Sequence, residues 1–309
     1  NHLKTIFIVK VMITTTNKRP FFSLVLATVD REKEVSCYLE SLSAQTFRDI
    51  EVIVIDQNTT DFLVPYLESF QSRTGIPVKR VVSKRGLSHA RNVGLREVQG
   101  EWVAFPDDDC LYPQHFLHQV KKVIEENPYI DGLSTLVTDL QGRHSAGYMG
   151  REISRITRYN VWKSGVSCSI FFKLDAPGNI FFDENFGVGT NWCLGSGEET
   201  DLLLRLLPLR NILYYPLIKV YHPTYHGPWK VSRAWKYGCG FGAVLRKHHY
   251  NCFVPLYYGG LQIIRCLQFA VTLEWRRSFY HLSMAAGRLC GYCIYPLRTL
   301  FSCPSSRGK

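Results

Sequence analysis

Several things are missing from this chain, and each absence narrows the field. No stretch reads as a confident membrane-spanning helix, which wants about 20 apolar residues in a row. The nearest candidate, residues 253–273, is interrupted by Pro255, Gly259, Gly260, Gln262 and Arg265. The apolar start Ile6–Ile13 is broken by Lys10, and no small-residue cleavage site follows. It is therefore not expected to act as a signal peptide, and residues 1–20 are set aside as an N-terminal appendage. Cys290-Gly-Tyr-Cys293 has no second ligand pair at a suitable spacing, so a structural zinc site is not expected. The ten cysteines are scattered through 309 residues, unlike the short, dense pattern of a disulfide scaffold. Reduced thiols and a cytoplasmic setting are the expectation. No internal repeat or low-complexity tract is found. Acid is almost absent from the last third, where residues 205–309 hold 15 Lys and Arg but one carboxylate, Glu274. The formal net charge of +11 is thus regional, and it calls for an anionic partner there.

What remains is globular: 46% hydrophobic, 20% charged, and long enough to bury a large core without staples. Short apolar runs at 22–27 and 51–56 read as strands buried on both faces, and 78–82 and 102–105 as a third and a fourth strand. Helical spacing at 31–46, 61–72 and 88–98 alternates with them. That rhythm predicts an α/β fold with a mostly parallel sheet flanked by helices. Ligands of such sheets bind at the carboxyl ends of the strands. Three polar strand ends qualify: Thr28-Val29-Asp30, Asp56-Gln57-Asn58 and Asp107-Asp108-Asp109.

The aspartate triplet carries the most chemistry. Three adjacent carboxylates repel one another, and a divalent cation with a preference for oxygen would stabilise them. On extended backbone Asp107 and Asp109 point the same way and share one metal or metal–phosphate complex. A solvated acidic turn would also account for three acids; the strand end favours the site. The segment Lys84–Asn92, with a glycine turn, a helix start and Arg85, Arg91 and Asn92, suits a nucleotide diphosphate. Further on, Gly197 precedes Glu198, Glu199 and Asp201 in the first turn of a helix. Acids there are favoured by the helix dipole, which is reason enough for Glu198 and Asp201; a catalytic role is the other reading.

In this order, Phe22 to Asp30, Ser43–Phe47, Asp56–Asp61, Gly86–Asn92, Phe105–Asp109, Phe182–Gly187 and Gly195–Arg205 resemble family 2 glycosyltransferases of the GT-A fold, of the bacterial surface-polysaccharide type. The resemblance covers roughly residues 21–225. It implies Mn²⁺ or Mg²⁺ at Asp107 and Asp109 with a sugar-nucleotide diphosphate, Asp56 at the nucleobase, and Thr28 and Asp30 lining the nucleotide site. It implies His222 as a further metal ligand, and Glu199 as the general base of an inverting transfer. Two departures are Gln57, where a second aspartate is usual, and Val29, where an aromatic is common. A third is Glu199, where the family has aspartate.

The expected organisation is a GT-A domain over 21–226, its nucleotide-sugar half at 21–112 and its acceptor half at 113–226. A basic, aromatic-rich helical extension follows over 227–309. Arg246, Lys247, His248 and His249 read as an interfacial basic cluster. Helices lying in a bilayer interface fit this extension, and so does an ordinary amphipathic subdomain. The expected activity is metal-dependent transfer from a nucleotide sugar to a lipid-linked or growing surface glycan, peripheral on the cytoplasmic face of the membrane. A nucleotidyltransferase would want a glycine-rich phosphate loop after the first strand, and Ala27-Thr28-Val29-Asp30 is not one. A non-catalytic glycan- or nucleotide-binding protein is the other alternative. Nucleic acid would explain the basic third but not the aspartate triplet, so it is not expected as a partner.

Overall fold

The computed structural model describes residues 19–145, 147–190, 193–225 and 227–301. Residues 1–18 of the expected appendage lie outside the described residues. Among these residues the core is an eight-stranded sheet ordered β3-β2-β1-β4-β7-β5-β8-β6. Its strands are β1 (Phe22–Thr28), β2 (Ile50–Asp56), β3 (Val78–Val82), β4 (Trp102–Ala104), β5 (Gly132–Thr138), β6 (Ser154–Arg155), β7 (Ile170–Lys173) and β8 (Ile212–Tyr221). β3, β2, β1 and β4 run parallel, as do β5 and β8. β7 is inserted antiparallel between β4 and β5, and β6 closes the far edge antiparallel to β8.

All seven residues of β2 are buried, because helices cover both faces of the sheet and leave no polar side. α1 (Glu32–Ser43) turns Val35, Tyr38, Leu39 and Leu42 inward, one stripe at helical spacing. α2 (Val64–Thr74) and α4 (Phe116–Glu126) bury similar stripes. α3 (Leu87–Leu95) comes closest to the sheet: a Cβ on Gly94 would stand 2.3 Å from Val25. The register of β8 against β5 jumps from Thr135–Tyr215 to Leu136–Lys219. Past that irregularity β8 reaches the end of the sheet where the aspartates lie.

Four helices complete the chain: α5 (Glu198–Leu206), α6 (Val231–Lys247), α7 (Phe253–Val271) and α8 (Trp275–Phe301). α6 is fitted to the sheet-bearing part of the chain rather than hung from it. The Gly195 N–H donates to Lys236 O at 3.1 Å, and Ser196 Oγ donates to Tyr237 O at 2.9 Å. A Cβ on Gly240 would stand 2.2 Å from Ser196 O, so this approach requires glycine. α8 runs alongside α6 with Gly238 and Gly242 facing Gly287, Arg288 and Tyr292 backbone.

Candidate active site

The site begins where β1 and β2 end. At Asp30 the backbone takes φ 55°, held by its N–H donating to Asn58 Oδ1 at 2.6 Å. This turns the Asp30 carboxylate outward, where it pairs with Arg85 Nη2 at 2.7 Å; both side chains are exposed. Asp56 is fully buried. Its Oδ1 accepts from the Asn58 backbone N–H at 2.9 Å and from Asn58 Nδ2 at 2.6 Å, and its Oδ2 accepts from Arg80 Nε at 2.8 Å. Asp56 thus shapes the end of β2 with both oxygens already engaged. Gln57 ties that end to α3 by accepting from the Gly86 N–H at 2.8 Å.

The chain after β4 continues beside β1 through a parallel bridge between Ala27 and Asp107. The triplet then divides. Asp108 turns back, accepting from Thr28 Oγ1 at 2.8 Å. Burial pushes its carboxyl up to about 6 against the pull of Thr28 and Arg31. Asp107 and Asp109 point the other way. Asp107 Oδ1 takes Arg91 Nη2 at 3.0 Å, and Asp109 Oδ2 takes Arg31 Nη1 at 2.9 Å. The remaining oxygens, Asp107 Oδ2 and Asp109 Oδ1, lie 3.9 and 3.2 Å from His222 Nε2. Burial alone would raise the Asp109 carboxyl, but His222 and Arg31 outweigh it and hold it at about 2. Burial likewise works against a charged His222, and Asp109 reverses that and raises its pKa.

His222 arrives here because Leu111 and Tyr221 form an antiparallel bridge, with reciprocal backbone bonds of 2.7 and 3.0 Å. Its Nδ1 faces Pro223 O at 2.9 Å. A proton held on Nδ1 by that carbonyl leaves the Nε2 lone pair for a metal. Among the described residues no group of three or more His, Cys, Asp or Glu stands close enough together to hold a metal ion as the side chains lie. The donor chemistry nonetheless fits: one oxygen from each of two aspartates and the imidazole nitrogen they face form a set that suits Mn²⁺ better than Mg²⁺.

Across from the triplet lies the start of α5. Gly197 takes φ 95°, and a Cβ there would also press to 2.7 Å of Val244 on α6. Glu198 is buried and meets Arg91 Nη1 at 3.3 Å. Arg91 is itself buried; it also donates to Ser167 Oγ at 3.0 Å and stacks over the Phe182 ring. One guanidinium thus joins Asp107 to Glu198 and sets the width of the cleft. Asn92, two bonds to Phe182 backbone and one to Glu184, fixes the Phe182 segment rather than facing the aspartates. Glu199 is half-buried. Burial, then the charge of Glu198, pushes its carboxyl up to about 8. Asp201 is fully buried, with Oδ1 at 2.7 Å from Lys247 Nζ and 2.8 Å from His248 Nε2, and Oδ2 at 3.0 Å from Arg205 Nε. Burial opposes its charge, but these partners hold it at about 2.

The structure therefore brings Thr28, Arg91, Asp107, Asp108, Asp109, Glu198 and His222 into one constellation, with Glu199 beside it. Asp30 and Arg85 form its outer rim, and Asp56, Asn92 and Asp201 serve it from behind. Lys247 and His248, expected at an interface, instead turn inward onto Asp201, because a buried carboxylate costs far less when paired. Arg31 was not anticipated as a partner of Asp108 and Asp109; a cation directly after the polar end of β1 was the available signal.

This is the arrangement of a sugar-nucleotide transferase fold, and comparison with known proteins agrees. Residues 23–172 match the model of glycosyl transferase family 2. An uncharacterized glycosyltransferase of Haemophilus influenzae is 36% identical over 110 residues, 35% of this chain and 36% of that protein. The poly(ribitol-phosphate) β-N-acetylglucosaminyltransferase TarS of Staphylococcus aureus is 29% identical over 125 residues, 40% of this chain and 22% of that one. The chain thus spans about a third or less of these two curated relatives. In overall fold it is similar to the crystal structure of S. aureus TarS 1-349 in complex with UDP-GlcNAc, at TM-score 0.56 and 16% identity, covering 93% of this chain and 95% of that one. It is also similar to the mannosyltransferase PcManGT from Pyrobaculum calidifontis in complex with GDP-Man and Mn²⁺, at TM-score 0.55 and 17% identity, covering 92% and 79%. The GT-A architecture is thereby established. No helix among the described residues is long and apolar enough to cross a membrane.

Proposed function

We propose that this protein is a metal-dependent, inverting glycosyltransferase. It moves a sugar from a nucleoside-diphosphate donor to a hydroxyl of a lipid-linked or growing surface glycan, at the cytoplasmic face of an anionic membrane. The observation that carries the reading is the convergence of one Asp107 and one Asp109 oxygen on His222 Nε2, opposite Glu198 and Glu199, at the carboxyl end of a parallel sheet. The family match of residues 23–172 supports the transferase class. The named ligands of the similar structures, UDP-GlcNAc and GDP-Man with Mn²⁺, support the donor class and the metal, and the polymer acceptor in the name of TarS supports a surface glycan.

In this reading Asp107, Asp109 and His222 hold the cation. Once bound, it offsets the negative charge that grows on the diphosphate as the sugar leaves. Thr28 and Asp108 shape the floor beneath the diphosphate, Asp30 and Arg85 close its rim, and Asp56 supports the base pocket from behind. Glu199 takes the proton from the acceptor hydroxyl as that oxygen attacks the anomeric carbon. Its raised pKa suits a base that must hold a proton on leaving the reaction. Glu198 is committed to Arg91, and Asp201 to Lys247, Arg205 and His248, so both act as positioning residues. The experiment is NMR of the product sugar formed by the intact chain with its preferred donor. Inversion at the anomeric carbon is the expected outcome, and retention would overturn the mechanism.

A further inference from the structure

α7 is built inside out. Toward α8 it buries Pro255, Gly259 and Gln262: a ring, an empty position and an amide. Away from α8, Phe253, Leu256, Tyr257, Ile264, Leu267 and Val271 are between 53 and 83% exposed. Their spacing of three, four and seven residues makes them one stripe of the helix. The polar groups face inward instead. Gln262 Oε1 and His281 Nδ1 lie 2.7 Å apart in the buried seam, and Ser278 Oγ donates to Cys266 O at 3.0 Å. The stripe continues around the turn through Leu273, Trp275 and Phe279, all more than half exposed. Single exposed leucines are ordinary, but a contiguous apolar stripe marks an interaction surface.

The charges around the stripe indicate what covers it. Arg265 and Arg276 are exposed beside it. The one acid of residues 205–309, Glu274, is neutralised by Arg277 at 2.6 Å. An anionic surface thus meets apolar side chains and cations with almost no opposing charge. At 1.5 Å per residue, the 19 residues of α7 extend ~28 Å. With no helix among the described residues able to cross a bilayer, the stripe suits a helix lying along the interface, with aromatic rings at headgroup level. The mounting is rigid. α8 packs backbone to backbone on α6 through Gly238, Gly242, Gly287 and Gly291, and α6 seats the loop that leads into Glu198 and Glu199 at the start of α5.

We propose that the outward face of α7, with the α7–α8 turn, is the surface by which this protein beds into the headgroup layer of an anionic bilayer. The proposal deepens the membrane placement made above and does not depend on the sugar-transfer chemistry. Leu256, Ile264, Leu267 and Val271 enter the acyl boundary while Arg265 and Arg276 meet lipid phosphates.

Flotation of the intact chain with vesicles of phosphatidylcholine, and of phosphatidylcholine with phosphatidylglycerol, tests it. The chain is expected to float with the mixed vesicles and to be released as salt rises. Ile264→Glu with Leu267→Glu is expected to weaken partitioning by ~10-fold or more. Its circular dichroism and Mn²⁺-dependent nucleotide binding should stay as in the parent. Arg265→Gln with Arg276→Gln keeps the stripe intact and should remove the preference for phosphatidylglycerol, which serves if the glutamate variant misfolds. A chain that stays at the bottom with both vesicle types at low salt overturns the proposal. So does a lipid-free dimer that the glutamate variant splits, since the stripe would then face a second copy. Nucleotide binding is read in the same samples. Its absence from a chain that floats counts against the transferase reading and leaves the docking face standing.

Discussion

Glu199 and Asp201 lie two residues apart on α5 and are held in opposite charge states. Asp201 is kept ionised by its bond to His248 and by the charges of Lys247 and Arg205, while Glu199 is raised to about 8 by burial and by Glu198. A group that keeps its proton to about 8 becomes a base as pH climbs, so kcat/KM should rise with pH through about 8. Glu199→Gln should lower turnover by ~10²–10⁴ with donor affinity nearly unchanged, and should flatten that limb of the profile. A stability readout follows from the same shift. A carboxyl whose folded pKa lies above its unfolded one adds stability at low pH and loses it as pH rises toward the folded value. Glutamine cannot ionise. Thermal denaturation should therefore show Glu199→Gln melting like the parent near pH 4.5 and above it near pH 8.5, by ~2–4 °C for each kcal/mol recovered. Equal melting at both values would mean that Glu199 carries no raised pKa.

At the scale of elements, α5 is stapled to α6. The staple is Asp201 with Lys247 and His248, reinforced by Lys247 reaching Asp183 at 2.8 Å and by Gly240 against Ser196. Asp201→Asn leaves Lys247 and Arg205 facing a neutral amide in a buried place. Denaturant unfolding should then show a loss of ~3–5 kcal/mol, with turnover falling because the first turn of α5 shifts. An Asp201→Asn protein of parental stability that had lost turnover would make Asp201, not Glu199, the base. The meeting of β8 with Leu111 shows why part of the site was not legible in the sequence. His222 could be expected near the metal only through family resemblance. What delivers it is a single bridge after an irregular register, and no local pattern encodes that. Arg91 was read as a phosphate ligand because it opens a helix after a glycine. Its use as a buried strut between Asp107 and Glu198 depends on α5, 107 residues away in sequence.

For the whole molecule, the legible part was the parallel half-sheet. β1, β2 and β4 are buried on both faces, and burial of that kind writes itself as unbroken apolar runs. β6 and β7, at two and four residues, are too short to leave a period and pair antiparallel with distant partners. The C-terminal third read as basic and aromatic, but its composition did not tell that α6 completes the sheet-bearing part of the chain. A chain ending at residue 226 should accordingly lose cooperative melting, because Ser196, Gly197 and Asp201 lose their partners. A truncated protein that folds and binds nucleotide would refute that dependence. In the proposed reaction Asp107, Asp109 and His222 bind a nucleoside diphosphate through a divalent cation. Calorimetry on the intact chain with UDP, GDP, dTDP and CMP, each with and without Mn²⁺, tests this. At least one of these nucleotides should bind only with Mn²⁺, and a folded Asp109→Ala protein should lose this binding. Equal affinity with and without Mn²⁺, or undiminished Mn²⁺-dependent affinity in that variant, would contradict it.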